Sequence, residues 1–327
     1  IADGSNGGLA SNYTLTGGTH NFTVNQRPLI ATLARQYDAT TTAAGSDLSS
    51  FNDLQGGETL SMTGSGTATS ANVANSIAMA NNGTLALADG TGLASNYSLN
   101  STIIDISQRV LNSSGSKIYD ANTDAIAANI TLSNLASSET LNHSGTASIG
   151  SANAGSYTIT NLSGVSIADG SNGGLASNYT LTGGTHNFTV NQRAISLSGT
   201  RLYDATTNAA ASDLSTMANL VGSETLTLSG TGSIASANVS SNKTVTTGTL
   251  ALADGSNGGL AANYTLSGGT HQLTVNQRPL IATLARQYDA TTTAAGSDLS
   301  SFNDLQGGET LSMTGSGTAT SANVANS

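Results

Sequence analysis

The stretch from Asn178 to Thr207, NYTLTGGTHNFTVNQRAISLSGTRLYDATT, carries the pattern that decides the fold. Apolar and polar residues alternate on both sides of a Gly183-Gly184 turn, which predicts a β-hairpin with one apolar face. After Gln192-Arg193 the apolar residues change from even to odd positions. Because side chains in a strand alternate with a period of two, we expect the chain to enter a different core at this pair.

The same joint recurs along the chain, which is therefore a tandem array. The arginines of the Gln-Arg pairs lie 82, 84 and 85 residues apart, and each is followed by an apolar strand pattern and a Tyr-Asp pair. Residues 1–27 are identical to 167–193, and residues 25–76 are identical to 276–327. The period predicts the end of one repeat, three complete repeats and the beginning of another, at 1–27, 28–109, 110–193, 194–278 and 279–327.

The two incomplete repeats are expected to depend on neighbouring sequence. Residues 1–27 should supply the last strands of a repeat and residues 279–327 its first strands, and neither should bury a core by itself. Placed head to tail they would lack about one strand, the counterpart of Lys243–Ala251. We therefore expect a longer covalent array rather than a non-covalent polymer of this chain.

Composition argues against several classes of function. Only 9% of the 327 residues are charged, compared with about 25% in average soluble domains. The net charge of −10 argues against nucleic acid or an anionic membrane as a partner. No apolar run approaches the ~18 residues that a membrane-spanning helix needs. The apolar fraction of 37% follows a strand period, which argues against disorder.

Each repeat contains turn residues at intervals of about 8–12 residues, which is typical of a small all-β domain. We expect an immunoglobulin-like antiparallel β-sandwich for each repeat, and an elongated rod for the array. A β-solenoid is the alternative, but no shorter period occurs inside the repeat. One helical turn is expected near Ala210–Leu220, with Ser212 or Asp213 as its cap. In the third repeat, strands are predicted at 194–203, 218–221, 224–230, 232–235, 244–252, 263–267 and 271–276.

The motif YDATT, at Tyr37–Thr41, Tyr203–Thr207 and Tyr288–Thr292, is followed each time by ETL and SANV, and the third repeat closes with NYTL. Together these motifs resemble the YDG-type repeat and the related MBG-type repeat, over nearly the whole chain. Such repeats occur in tandem in very large secreted, haemagglutinin-like bacterial adhesins. The resemblance implies an extracellular or cell-surface stalk of a Gram-negative bacterium, exported by an outer-membrane partner.

Alanine replaces the glycine of the name-giving motif in all four copies, at Ala39, Ala121, Ala205 and Ala290. Because alanine disfavours a positive φ, we expect the turn after Tyr-Asp to differ from that of the family.

The Tyr-Asp pair is a candidate contact for carbohydrate. The structural interpretation is that the tyrosine ring covers the end of the sandwich and the aspartate accepts backbone N–H groups in the turn. Recurring charged residues would allow an Arg–Glu or Arg–Asp pair within or between repeats. They are the basic residues Arg35, Lys117, Arg201 and Arg286 and the acidic residues Glu58, Glu139, Glu224 and Glu309.

The loop ADGSNGG is a candidate Ca²⁺ site, because oxygen ligands alternate with glycine turns. The candidate ligands are Asp3, Asn6, Asp169, Asn172, Asp254 and Asn257. One carboxylate per loop is few for an ion that takes six to eight oxygens, so a flexible turn before NYTL is the alternative interpretation. His20, His186 and His271 lie one repeat apart and cannot share a metal, and His143 lies elsewhere. No catalytic triad has a local signature, so we predict no enzymatic activity.

These observations favour a structural protein, a stalk or fibre within a giant secreted adhesin or matrix filament. Its expected partners are neighbouring repeats of the same chain and other chains that associate laterally into fibres. The alternative is a multivalent adhesin whose repeats bind host or cell-surface glycans. An exposed aromatic or carboxylate cluster would favour the alternative, but aromatic residues make up only 4% of the chain and no such cluster stands out.

Overall fold

The computed structural model describes residues 1–159 and 161–324, and this part of the chain is all-β. No helix in these two ranges is long and apolar enough to cross a membrane. Within them, the helical segments are 3-10 helices of three residues each, at Ala10–Asn12, Gly45–Asp47, Ala94–Asn96, Ala127–Asn129, Ala176–Asn178, Ala211–Asp213, Ala261–Asn263 and Gly296–Asp298.

The strands follow the repeats closely. Those of the first repeat are β1 (Arg27–Gln36), β2 (Thr42–Ala44), β3 (Leu48–Phe51), β4 (Leu60–Thr63), β5 (Ser65–Ala68), β6 (Ala74–Asn81), β7 (Ala86–Asp89) and β8 (Tyr97–Ser107). Those of the second repeat are β9 (Arg109–Val110), β10 (Asn112–Ile118), β11 (Asp124–Ile126), β12 (Ile130–Ser133), β13 (Leu141–Ser148), β14 (Gly155–Thr158), β15 (Val165–Asp169), β16 (Tyr179–Thr180) and β17 (His186–Asn191).

The third repeat contains β18 (Arg193–Ala194), β19 (Ser196–Leu202), β20 (Asn208–Ala210), β21 (Thr216–Ala218), β22 (Leu226–Ser229), β23 (Thr231–Ile234), β24 (Ser240–Thr246), β25 (Ala251–Asp254), β26 (Tyr264–Thr265) and β27 (His271–Asn276). The incomplete last repeat contains β28 (Ala282–Leu284), β29 (Thr293–Ala295), β30 (Leu299–Phe302) and β31 (Ser316–Thr318).

The first and third repeats have the same sheet topology. Six strands form one sheet, in the order β2-β5-β6-β8-β1-β3 in the first repeat and β20-β23-β24-β27-β19-β21 in the third. A two-stranded sheet accompanies each, formed by β4 and β7 or by β22 and β25. The long first strand of a repeat pairs with its last strand in parallel, in β1 with β8, β10 with β17 and β19 with β27.

These parallel ladders correct the expectation of a purely antiparallel sandwich. The other ladders of the six-stranded sheets are antiparallel, as between β6 and β8 or β24 and β27. The chain enters and leaves a repeat in the same direction, so its first and last strands must be parallel when they lie side by side. Sequence patterns predict strands but not which two strands become neighbours.

The predicted strands of the third repeat are largely found, with several differences. The predicted strand 194–203 is divided into β18 and β19, and the predicted strand 218–221 overlaps β21 at one residue, Ala218. The predicted strand 244–252 is divided into β24 and β25 by a turn in which Gly248 has a φ of 53°. The short strand β20 was not predicted. The predicted helical turn is the 3-10 helix at Ala211–Asp213. Its N-cap is Ala210 rather than Ser212 or Asp213, and the carboxylate of Asp213, its last residue, accepts a hydrogen bond from the Ala210 N–H at 3.1 Å.

One hydrophobic core crosses the boundary between the first and second repeats. It includes Leu33 and Ile106 from the first repeat and Leu111 and Tyr179 from the second. The apolar positions change from even to odd at Gln108-Arg109, and Leu111 still lies in the same core as Ile106. From Ser113 onward the strand belongs to the second of two compact units, so the predicted change of core occurs at Ser113 rather than at Gln108-Arg109.

The described residues form two compact units whose limits differ from those of the repeats. The first comprises Ile1–Asn112, Leu132–His143 and Ser166–Thr185, and the second comprises the described residues within Ser113–Thr131, Ser144–Val165 and His186–Ser327. The second repeat contributes to both units. The contacts described below between the first and second repeats all lie in the first unit, and those between the second and third repeats all lie in the second.

Identical sequences have different structures in complete and incomplete repeats. Residues 167–193 contain β16 and β17, whereas the identical residues 1–27 contain no strand before Arg27, where β1 begins. Phe188 is 1% exposed and its counterpart Phe22 is 91% exposed. Residues 1–27 therefore bury no core by themselves, and they lack the strands that the same sequence forms in the second repeat. In the second repeat, β17 pairs with β10 and β14, and residues 1–27 have no equivalent strands beside them.

Candidate functional site at the joint between repeats

A tyrosine–glutamate cluster joins the first repeat to the second. Tyr37 donates a hydrogen bond to Glu139 Oε1 at 2.6 Å, and Tyr179 donates one to Glu139 Oε2 at 2.6 Å. The two rings meet edge to face with their centroids 5.4 Å apart. All three side chains are buried, so both oxygens of a buried carboxylate receive a charge-assisted hydrogen bond.

The same cluster joins the second repeat to the third. Tyr119 and Tyr264 donate to the two oxygens of Glu224 at 2.7 and 2.6 Å, with ring centroids 5.4 Å apart. The Val221 N–H donates to the Tyr264 hydroxyl at 3.0 Å, as the Ala136 N–H does to Tyr179. The hydroxyl of the NYTL tyrosine thus donates and accepts a hydrogen bond in both joints, which fixes its position.

Two further glutamates each bind one tyrosine. Tyr97 donates to Glu58 within the first repeat, and Tyr203 donates to Glu309 at the boundary between the third repeat and the incomplete last one. A complete tyrosine–glutamate cluster combines the YDA tyrosine of one repeat with the glutamate and the NYTL tyrosine of the next. It therefore requires two successive repeats.

Burial changes the ionisation of the cluster tyrosines. The pKa of Tyr119, Tyr179 and Tyr264 is raised to about 12. Burial is the largest cause, and the hydrogen bond to glutamate is the second. Burial also raises the pKa of Tyr37. In Tyr97 the hydrogen bond to Glu58 is the largest cause of a raised pKa. Protonated tyrosines that donate to a carboxylate suit a permanent structural contact.

Asparagine side chains make a second contact between consecutive repeats. In both complete joints, the fully buried asparagine that precedes the NYTL tyrosine accepts a backbone hydrogen bond from the preceding repeat and donates one to a side-chain oxygen there. The bonds are Val73 N–H to Asn178 at 3.0 Å, Asn178 to Asn72 at 3.0 Å, Ala154 N–H to Asn263 at 2.8 Å and Asn263 to Asn153 at 3.0 Å. The SAN segment of one repeat is thus bound to the NYTL segment of the next.

The Gln-Arg pair connects backbone segments from both sides of the joint. Arg193 donates from Nε to the Asn219 carbonyl at 2.7 Å and from Nη1 to the Tyr119 carbonyl at 3.3 Å. Gln192 donates to the Ala262 carbonyl at 3.0 Å. Gln108 and Arg109 make the equivalent bonds at the first joint, to Ser177, Asn134 and Tyr37.

The aspartate of each Tyr-Asp pair holds the turn that follows, as predicted. Asp38 Oδ1 accepts the Thr40 N–H at 2.9 Å, and Asp204 accepts the Thr206 N–H at 2.9 Å. The recurring basic residue pairs with this aspartate rather than with the glutamate. The pairs are Arg35–Asp38, Lys117–Asp120 at 2.8 Å, Arg201–Asp204 and Arg286–Asp289 at 3.2 Å.

The alanine inside this turn adopts the conformation that the sequence argued against. The φ angles of Ala39, Ala121, Ala205 and Ala290 are 66°, 62°, 62° and 62°. The prediction that alanine would avoid a positive φ is wrong. A left-handed alanine costs roughly 1–2 kcal/mol, and the aspartate and basic side chains hold the residues on both sides of it.

Most of the predicted Ca²⁺ ligands make hydrogen bonds to other parts of the chain, and the aspartates close their own loop. The carboxylates of Asp3, Asp169 and Asp254 accept the N–H groups of Ala10, Ala176 and Ala261 at 2.6, 2.7 and 2.7 Å. Asn172 and Asn257 donate to the carbonyls of Ser138 and Ser223 at 3.0 Å, and Asn6 has a φ of 58°. Across residues 1–159 and 161–324, no three His, Cys, Asp or Glu side chains gather as metal ligands. Calcium binding stays a prediction.

His186 and His271 are the first residues of β17 and β27, and the equivalent His20 lies outside any strand. His20 and His271 interact through Nε2 with the carbonyls of Leu15 and Leu266 at 2.6 and 2.8 Å. His186 Nδ1 lies 2.9 Å from Ser113 Oγ, on the first strand of the same repeat. His143 lies elsewhere, in β13. These contacts assign the equivalent histidines a structural role.

Sequence reasoning singled out the tyrosine and the glutamate separately and missed that they meet. Tyr37 and Glu139 are 102 residues apart and Tyr119 and Glu224 are 105 apart, so each pair spans more than one repeat. The available signal was the nearly constant spacing between the tyrosine and the glutamate, which is longer than one repeat. In a repetitive sequence any two motif residues have such a constant spacing, so the spacing alone does not indicate a contact.

Comparison with protein families agrees with the motifs that form these joints. The YDG domain matches three successive stretches, at residues 21–104, 108–187 and 187–272. Searches of curated proteins and of solved structures returned no match. The matched stretches cover most of the chain, which therefore belongs to the YDG domain family as a tandem array of three domains.

Proposed function

We propose that this chain is a structural segment, a stalk or fibre, within a large secreted bacterial surface protein or matrix filament. The observation that supports the proposal is that the motif residues form contacts between consecutive repeats. Tyrosine, glutamate, asparagine, glutamine and arginine of the recurring motifs all form hydrogen bonds from one repeat to the next. A protein that holds its repeats in a fixed relation needs such contacts, whereas flexibly linked binding modules do not.

The energetics of the joint support a mechanical role. Leu111 and Tyr179 of the second repeat share a core with Leu33 of the first, so unfolding one repeat exposes part of its neighbour's core. The buried tyrosine–glutamate cluster adds strong directional contacts at the same boundary. We propose a rod of immunoglobulin-like sandwiches as the architecture of the array, and an extracellular or cell-surface location in a Gram-negative bacterium, as the family resemblance implies.

Pulling single molecules from both ends of the full chain tests this function. We expect the complete joints to resist force, and Glu224→Gln to lower the unfolding force of the second joint. Glu58→Gln is the matched control, because Glu58 binds one tyrosine of its own repeat. Extension of the joints at low force, with no difference between these variants, would contradict the mechanical role. Saturable binding of the full chain on a glycan array would favour the multivalent adhesin instead.

A further inference from the structure

The second repeat differs from the first and third in the turn that follows its Tyr-Asp pair. In the other two repeats an arginine two residues before the tyrosine donates to the hydroxyl of a threonine five residues later. The residues concerned are Arg35 and Thr40 in the first repeat and Arg201 and Thr206 in the third. In the second repeat both members of the pair differ, and Lys117 faces Asn122. A guanidinium and a hydroxyl do not combine, whereas an amine and a carboxamide can form an amide bond.

The amine of Lys117 lies against the carboxamide of Asn122. Nζ donates hydrogen bonds to Asn122 Oδ1 at 2.6 Å and to the Asn122 backbone carbonyl at 2.8 Å. Because a C=O bond is about 1.2 Å long, the carboxamide carbon Cγ lies within about 3.8 Å of Nζ. Atoms that react with each other approach to about 3–3.5 Å, so a small rotation of the Asn122 side chain brings Nζ and Cγ to reaction distance.

Asp120 contacts both of the groups that would react. Its Oδ1 lies 2.8 Å from Lys117 Nζ, and its Oδ2 accepts a hydrogen bond from Asn122 Nδ2 at 2.9 Å. One carboxylate therefore bridges the attacking amine and the nitrogen that has to leave. The Asp124 N–H donates to Asn122 Oδ1 at 2.9 Å, which is where negative charge develops when a nucleophile adds to the carbonyl. The Lys117 side chain is 6% exposed, so little water competes for its amine.

We propose that Lys117 and Asn122 join in an isopeptide bond that forms without another enzyme, and that Asp120 transfers the protons. Asp120 takes a proton from the Lys117 ammonium, and the freed lone pair forms the Nζ–Cγ bond while an electron pair of the C=O bond moves to Oδ1. Asp120 then passes its proton to Nδ2 and takes a second proton from Nζ. The inference goes beyond the structural role proposed above and does not depend on it.

The reaction ends with the loss of ammonia. The Cγ–Nδ2 bond breaks with its electron pair on nitrogen, the C=O bond forms again, and Asp120 returns its last proton to the departing ammonia. An ammonium group and a carboxamide thus become a secondary amide and an ammonium ion. Atoms and charge balance, and no group is oxidised or reduced.

The bond closes a ring around a residue of the second complete joint. Tyr119, which donates to Glu224 of the third repeat at 2.7 Å, lies between the two linked residues. The left-handed Ala121 lies in the same ring. The ring therefore holds the turn in the conformation that presents Tyr119 to the next repeat. Ion pairs and hydrogen bonds hold the equivalent turns of the first and third repeats, and the second repeat makes the same connection permanent.

Mass spectrometry of the full chain tests the proposal. The intact chain should weigh one ammonia less than its sequence requires. After unfolding, trypsin should fail to cut at Lys117, because the side chain is an amide, and residues 110–193 should be recovered as one peptide with Lys117 and Asn122 joined. The linked peptide is the decisive result, since Asn-Gly pairs such as Asn172-Gly173 also lose ammonia when they form succinimides.

The other repeats supply matched control variants. Asn122→Thr and Lys117→Arg each introduce the residue that the first and third repeats have at that position, so both should fold, which circular dichroism checks. Both should abolish the linked peptide and restore cleavage after position 117. Asp120→Asn should slow formation of the bond by about a hundredfold or more, followed over time after cell-free synthesis, because a positioned acid–base group contributes that much.

Three results would overturn the proposal. The first is release of residues 110–117 as a separate peptide from the unaltered chain, which would show that the amine of Lys117 is free. The second is a linked peptide that persists in Asn122→Thr, because Lys117 would then be joined to another side chain. The third is an unchanged rate in Asp120→Asn, which would contradict proton transfer by this carboxylate.

Discussion

Replacement of Glu139 by glutamine should weaken the joint between the first and second repeats. Glu139 accepts hydrogen bonds from Tyr37 and Tyr179 at 2.6 Å each, and all three side chains are buried. Hydrogen bonds to a charged group contribute about 1.5–3 kcal/mol and neutral ones about 0.5–1.5 kcal/mol. Glutamine keeps one acceptor oxygen and removes the cost of burying a charge, so we expect a loss of about 2 kcal/mol in the free energy of unfolding.

Amide hydrogen exchange measures this loss locally, which suits a chain of several repeats that need not unfold in one step. Protection should fall in the strands next to Glu139 and stay unchanged around Glu224, which serves as a joint of the same design in the same molecule. Glu58→Gln removes one tyrosine contact instead of two, so its effect on its own surroundings should be about half as large. Equal losses in the two variants, or none in Glu139→Gln, would refute the reasoning.

Three further predictions concern single repeats and pH. Leu226→Ala should destabilise its repeat by ~2–4 kcal/mol in urea unfolding, while Thr227→Ala, exposed on the opposite face of the same strand, should cost much less; similar losses would contradict the strand register. Ala205→Gly should stabilise the chain by roughly 0.5–1 kcal/mol, because relief of the left-handed conformation exceeds the entropy cost of glycine, and a lower urea midpoint would contradict this. Burial raises the pKa of Tyr119 and Tyr264 to about 12. The contribution of these two hydroxyls to the free energy of unfolding should therefore be complete below pH ~10 and lost as the pH rises toward 12. A free energy of unfolding that stays constant over this pH window would contradict the burial of these hydroxyls.

The sequence predicted the repeats and most strands because both depend on local pattern. The alternation in ETLTLSG placed Leu226 inside and Thr227 outside, and the structure agrees. The parallel pairing of β1 with β8 was not predicted, because strand patterns do not record which strands become neighbours. The left-handed alanines were not predicted, because their conformation is imposed by side chains on both sides of the turn rather than by alanine itself.

The incomplete repeats explain why local pattern was not enough. Residues 167–193 and 1–27 have the same sequence, yet Tyr179 is 2% exposed and Tyr13 is 72% exposed. The strand pattern of the two segments is identical, so the difference comes from the neighbours that each segment meets. The candidate site has the same origin, because each joint is assembled from motifs of two repeats that look independent in the sequence.

A double-mutant cycle between Tyr119 and Glu224 tests most directly whether the motif residues hold consecutive repeats together. Tyr119 belongs to the second repeat and Glu224 to the third, and they are 2.7 Å apart. The free energy of unfolding is measured for Tyr119→Phe, Glu224→Gln and the double variant. We expect a coupling free energy of about 1–2 kcal/mol. If the losses of the two single variants add up to the loss of the double variant within ~0.3–0.5 kcal/mol, the two repeats do not stabilise each other through this contact. That result would contradict the account.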